Sequence, residues 1–261
     1  MDLNLKGKRA VVCGSTRGIG KAIAMELAAL GAGITLIARN EGRLRATVQE
    51  LPAEGGQRHE YLVADFEFPD KLKAIVQAHA AKVTTHILVN NTGGPAAGEA
   101  IEAEPEAFIS AFSAHLLCSQ ILVQAIVPGM RREKFGRVIN VISTSVKIPI
   151  PGLGVSNTVR GAVANWAKTL SGELGRDGIT VNNILPGATL TDRLEEIIGV
   201  KAEKTGRSRE EVRQQMIGEI PAGRLASPHD IAAAAAFLAS PAASYINGIN
   251  IPVDGGRTGS L

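Results

Sequence analysis

The sequence predicts an α/β fold: a doubly wound parallel sheet of about seven strands, with helices on both faces, in a single domain. Three observations carry this. Short apolar runs alternate with Ala- and Leu-rich amphipathic stretches from end to end. The runs are apolar almost without a break, as strands buried on both faces must be. A glycine-rich turn then joins the first run directly to the first helical stretch. The 261 residues suit one large domain with an ample core, and no repeat, low-complexity tract or linker divides residues 1–261.

The elements follow in order. The apolar run RAVVC, stopped by Gly14, predicts a strand at Arg9–Cys13, and the stretch from about Gly18 to Leu30 a helix. Further strands are expected at Gly33–Ala38, Glu60–Val63, His86–Val89, Gly136–Ile142, Thr180–Ile184 and Ile249–Val253, with helices between them. Right-handed crossovers make this arrangement doubly wound. Residues 192–220 break the rhythm, standing between the sixth strand and a helix starting near Pro228. Their charged second half, Lys201–Ile220, spaces Val212, Met216 and Ile220 along one helical face. A solvated surface helix fits that spacing. The position at the strand ends favours a lid over a substrate pocket.

Charge excludes some functions. There are 28 Lys+Arg against 25 Asp+Glu, a net +3 with the basic residues scattered, so a nucleic-acid partner is not expected. Cys13 and Cys118 show neither disulfide nor metal-ligand spacing, and no metal site is expected. No apolar run reaches the roughly 18–20 residues of a membrane helix. The first residues lack the apolar core and cleavage site of a signal peptide. A soluble, cytoplasmic protein with no membrane partner is the expectation. Only Tyr61 and Tyr245 could serve a tyrosine-dependent mechanism.

The segment Gly14-Ser15-Thr16-Arg17-Gly18-Ile19-Gly20 follows the first strand and opens a helix. Glycines let a backbone approach a pyrophosphate, and helix N-terminal N–H groups receive its charge. A tight structural turn would also use glycine, but the strand–loop–helix context favours a dinucleotide. The second strand ends Ile37-Ala38-Arg39-Asn40, without the carboxylate that would bind a ribose 2′-hydroxyl. Arg39, helped by Arg17, can instead bond a 2′-phosphate, which points to NADP(H).

Taken together with Asp65, Asn90-Asn91-Thr92-Gly93, GRVINVIS ending at Ser143, VNNILPGATLTD at 181–192 and GINIPVDGG at 248–256, the chain resembles the short-chain dehydrogenase/reductases. The likeness is to their 3-oxoacyl-[acyl-carrier-protein] reductase-like members, over essentially the full length. It implies a Rossmann-type fold, with Asp65 bonding the adenine amino group beside Phe66. Asn91, Thr92 and Gly93 would line the adenosine ribose. Pro186, Gly187, Thr189 and Thr191 would hold the nicotinamide and pyrophosphate. Ser143 matches the serine that orients a substrate carbonyl. It also implies a homotetramer, or a homodimer, built on two long helices at roughly 104–130 and 154–175, where Ala162, Ala164 and Ala167 would allow close packing.

The family's Tyr-x3-Lys pair is missing. Thirteen residues after Ser143 stands Ser156, and four further Arg160; His115 replaces a usual asparagine. A serine hydroxyl is far less acidic than a phenol, and an arginine relays no proton. Three readings follow. The protein is a reductase of a small carbonyl or alcohol substrate, with His115, titrating near neutrality, or a water chain as proton donor. Or the cofactor supports another reaction, with Ser143, Ser156 and Arg160 binding an anionic or acyl substrate. Or it is an inactive nucleotide-binding regulatory or partner protein. A histidine packed between helices is the plain alternative for His115. The complete cofactor motifs favour an enzyme.

Overall fold

The computed structural model describes residues 1–260. Seven parallel strands lie in the order β3-β2-β1-β4-β5-β6-β7. They are β1 (Arg9–Cys13), β2 (Gly33–Ala38), β3 (Glu60–Val63), β4 (Ile87–Asn90), β5 (Gly136–Val141), β6 (Ile179–Pro186) and β7 (Asn250–Val253). Strands β1, β2 and β3 match the sequence reading at both ends. The others differ by one or two residues, because apolar character fades gradually where strands enter loops.

Alternation sorts each strand between two cores. Ala10 and Val12 of β1 face α1 (Gly18–Ala29) and α9 (Pro228–Ala239), with Ile34, Leu36, Ile139 and Ile184 beside them. Val11 and Cys13 face the opposite layer, α3 (Pro69–Ala80), α5 (Cys118–Glu133) and α6 (Gly154–Leu174), beside Leu88, Val138 and Val181. Helix α2 (Glu41–Glu50) flanks β2. Both thiols are buried and free, and burial pushes Cys118 up to about 11. Neither is a nucleophile at neutral pH.

Helix α4 (Pro105–Phe112) runs through a π turn at Ser113–Leu117 into α5. The resulting 29-residue helix is long and apolar enough, by length and composition, to cross a membrane. That corrects the expectation from sequence, where Ser113, His115 and Ser119 interrupt the apolar run. Leu122, Ile126 and Met130 are enclosed in the second core, as in the core helix of a globular domain. The 192–220 segment is not one helix but two, α7 (Asp192–Thr205) and α8 (Arg209–Gly218). Ser208 caps α8 in a reciprocal capping box with Glu211. Val212, Met216 and Ile220 do share a buried face, and they close a separate core with Leu194, Ile198, Ala202 and Leu225.

Ala164 and Ala167 are buried in the chain's own cores, so they cannot form the subunit contact expected of them. Four exposed apolar side chains stand on and near the other long helix, at Ile101, Ile109, Phe112 and Leu117. Others are scattered elsewhere, among them Phe68, Ile148 and Tyr245.

One polar feature crosses the second layer. Asn90, Asn140, Asn183 and Asn250 stand opposite one another on β4, β5, β6 and β7. The Nδ2 of each of the first three donates to the Oδ1 of the next, 2.8 Å at every step. Asn90, Asn140 and Asn183 are buried, so these bonds replace water along the row, while the Asn90 Oδ1 at its head has no partner among the described residues.

Candidate active site

Strand order reverses between β1 and β4, so the loops after them part and leave a crevice at their carboxyl ends. The glycine loop forms one wall. Gly14 adopts φ +58°, and a Cβ there would stand 2.6 Å from the Asn91 carbonyl oxygen. A Cβ on Gly20 would collide with the Gly14 carbonyl oxygen. Asn91 draws this wall together, its Nδ2 donating to the carbonyls of Cys13 (3.2 Å) and Gly14 (3.3 Å). Ser15 is buried and donates to the Ile37 carbonyl at 3.4 Å, while Ile19 packs on the first core. Thr16 is half-buried.

Helix α1 begins at Gly18 with no side-chain cap and no acid in its first turn. Side chains cap α2, α7, α8 and α9 at Asn40, Thr191, Ser208 and Ser227, whereas α3, α4 and α6 start uncapped like α1. Of these uncapped helices, only α1 opens directly from the glycine loop at the crevice. With the close-approach glycines beside them, the uncapped first-turn N–H groups of α1 fit a pyrophosphate. Arg39 lies exposed at the β2 tip and makes no ion pair among the described residues. The acid nearest it in sequence, Glu41, is held by Arg45 (2.8 Å) and the Tyr61 hydroxyl (3.0 Å). Nothing at that tip competes with a 2′-phosphate. Arg17 differs from expectation: it pairs with Asp192 at 2.6 Å rather than standing beside Arg39 as a free cation.

Elsewhere around the crevice, Asp65 Oδ1 accepts the Glu67 N–H at 3.1 Å. Phe66 packs against the second core, and its carbonyl accepts from the Cys118 thiol. Gly93 is exposed. Pro186 ends β6, and the Gly187 N–H donates to the Val253 carbonyl at 3.0 Å. Thr189 is buried and donates to the Gly187 carbonyl at 3.0 Å. Thr191 caps α7 and packs over the glycine loop, its Cγ2 lying 3.2 Å from where a Gly18 Cβ would stand.

The reactive end lies at the tips of β4 and β5. Ser143 follows β5, and its Oγ accepts the Ser145 N–H at 3.1 Å, leaving the hydroxyl hydrogen for another acceptor. Ser156 is half-buried one turn before Arg160 on α6 and makes no hydrogen bond through its side chain among the described residues. Arg160 is only 7% exposed. Its Nη1 donates to the Val141 carbonyl at 3.3 Å, and no carboxylate pairs with it among the described residues. Burial, reinforced by the Arg193 charge, lowers its pKa to about 10.

His115 sits in the π turn with its Nδ1 hydrogen-bonded to the Thr92 hydroxyl. Burial, with the Arg160 charge as second cause, pulls the imidazole down to about 3. The expectation of a histidine titrating near neutrality is therefore overturned: the ring is neutral at pH 7 because water is withdrawn from it and a cation stands nearby. Tyr61 is engaged beside α2 and Tyr245 is fully exposed. Neither replaces the missing phenol.

Sequence reasoning missed Arg193. It lies in the first turn of α7, bonded through Nη2 to the Pro95 carbonyl (2.5 Å) and through Nη1 to Glu196 (3.2 Å). Its place directly after the TLTD segment was the available signal.

Residues 14–258 match the family model described as enoyl-(acyl carrier protein) reductase. The 3-oxoacyl-[acyl-carrier-protein] reductase of Vibrio cholerae is 32% identical over 255 residues, covering 97% of this chain and 98% of its own. Among solved structures, the L-sorbose reductase of Gluconobacter frateurii, complexed with NADPH and L-sorbose, superposes with a TM-score of 0.92. It is 32% identical, with both chains covered in full. YwfH, an NADPH-dependent reductase involved in bacilysin biosynthesis, gives 0.91 at 28% identity, covering 97% of this chain and 99% of its own.

Proposed function

This chain belongs to the short-chain dehydrogenase/reductase family of oxidoreductases, and we propose that it uses NADP(H) on a small carbonyl compound or its alcohol, through a site in which Ser156 and Arg160 stand where the family has tyrosine and lysine. The observation that carries this is the glycine wall with its uncapped helix, next to an Arg39 that no acid opposes. The NADPH complex of the similar L-sorbose reductase and the NADPH dependence of YwfH support the same cofactor. When bound, NADP(H) supplies or accepts a hydride at the carbonyl carbon.

Each residue then has a task. The α1 N-terminus and the glycine loop receive the pyrophosphate, Arg39 the 2′-phosphate, Asp65 the adenine edge, and Thr189 and Thr191 the nicotinamide side. Ser143 donates its free hydroxyl hydrogen to the substrate carbonyl oxygen and orients it. Arg160 contributes fixed positive charge and no proton. Ser156 is too weak an acid and His115 too depressed in pKa to deliver one near pH 7. The proton therefore comes from water.

Helices α7 and α8 form a lid over the crevice, and the active assembly is a homotetramer or homodimer joined through the exposed Ile109, Phe112 and Leu117. Similarity to 3-oxoacyl-carrier reductases favours a cytoplasmic setting. Fluorescence titration with NADPH, followed by NADPH consumption against a panel of ketones and aldehydes, tests the reading. Binding with slow turnover on at least one carbonyl is expected. Lack of NADPH binding overturns the cofactor. Binding without turnover on any carbonyl shifts the function to a nucleotide-dependent regulator.

A further inference from the structure

Among the described residues, Arg160 is a buried cation without a counter-ion. A guanidinium carries five N–H donors, and here one hydrogen bond, to the Val141 carbonyl, is all that the described residues supply. A charge in that position is costly unless an anion meets it. The other charged and titratable groups nearby do not help. Arg193, on α7, adds a second positive charge, and its own partner Glu196 is largely exposed and screened. His115 is neutral and bonded to Thr92. The nearer acid on α7, Asp192, is taken by Arg17.

The two guanidiniums come from different helices, close enough for the charge of Arg193 to act on Arg160. Arg160 rises from α6 against the tip of β5, next to the Ser143 segment. Arg193 descends from the lid onto the loop after β4, where its Nε lies 3.6 Å from the position of a Gly94 Cβ. A group held between them lies beside the carbonyl that Ser143 orients.

We propose that the substrate is a carboxylate-bearing oxo or hydroxy acid, its carboxylate received by the Arg160 guanidinium, with Arg193 as the second cation closing over it. This rests on the oxidoreductase reading above and narrows its substrate class. The planar fork of arginine matches a carboxylate in a way that a lysine ammonium does not, which gives the Lys-to-Arg exchange a purpose. It also accounts for the small Ser156: a phenol there would occupy the space beside Arg160 that the acid needs.

The test uses the NADP⁺-loaded protein and three probes, pyruvate, 2-oxobutyrate and acetoacetate, each titrated calorimetrically beside its methyl ester. At least one acid should bind about tenfold or more tighter than its ester. Raising salt from about 0.05 M to about 0.5 M should weaken the acid and leave the ester unchanged. Arg160→Met should abolish the preference, and Arg193→Gln, a substitution on the partly exposed lid, should reduce it by about threefold or more. Equal binding of acid and ester, no binding of any acid, or a preference that survives both substitutions overturns the proposal. NADP⁺ binding is measured first: if NADP⁺ binds and the acids do not, the carboxylate site falls while the cofactor reading stands. If NADP⁺ itself does not bind, the reading beneath falls and takes the site with it.

Discussion

Arg17 and Asp192 meet at 2.6 Å, joining the glycine loop to the first turn of α7 across 175 residues of sequence. Both side chains are more than half exposed, so the pair contributes little to stability. Its importance is positional. The guanidinium that could help a phosphate is held by an acid of α7, and removing that acid leaves Arg17 free to turn toward a phosphate.

Asp192→Asn should therefore tighten NADPH binding by about two- to fivefold, the worth of an exposed pair, without lowering the melting temperature appreciably. The gain should shrink as salt is raised. Fluorescence titration at two ionic strengths decides it, and weaker binding in the variant would show that the pair helps to build the site.

Arg39→Asp places a carboxylate where the 2′-phosphate is expected. It should reverse the preference, weakening NADPH by roughly 100-fold or more while NADH gains. Equal affinity of the unaltered protein for both cofactors would remove Arg39 from the site.

The pH dependence of turnover should lack an imidazole limb near 6.5, since His115 is depressed to about 3. His115→Asn should leave the pH–rate profile unchanged between about pH 5 and pH 8. Stability should respond where the rate does not. The unfolded chain takes up a proton near 6.5 that the folded ring refuses until about 3, so stability is lost as pH falls across that interval. Urea denaturation of His115→Asn should show that portion of the acid loss removed. A rate limb near 6.5 that vanishes in the variant would return the histidine to catalysis.

The sheet was legible because strands buried on both faces carry an unbroken apolar signal, and the cofactor wall because Gly14 and Gly20 have no room for a Cβ. What escaped was set by three-dimensional company. The ordinary pKa of histidine describes a solvated ring, and only the fold shows His115 enclosed beside Arg160. Arg193 reads as one surface arginine among many until α7 carries it onto Pro95. The asparagines of β4 to β7 look like isolated polar residues in apolar strands, and only strand register aligns them.

That alignment yields a further prediction. Asn140→Ala should cost at least about 2 kcal/mol, because it leaves the Asn90 Nδ2 and Asn183 Oδ1 groups buried without partners. Asn250→Ala, at the half-buried edge, should cost less. Denaturant titration of both separates a chain of dependent bonds from independent ones, and equal losses would refute the dependence.

The helices α7 and α8, with Ile220 and Leu225, close a seven-residue core separate from the two cores that flank the sheet. Such a unit can detach and reseal while the strands beneath stay paired, at a free energy well below that of global unfolding. Amide hydrogens of Ile198 and Val212 should therefore exchange with deuterium together, and sooner than those of Val138 or Val181. A bound acid bridging Arg193 to Arg160 would slow the first pair alone, so occupancy of the crevice would be written in the exchange rates of residues that never touch it.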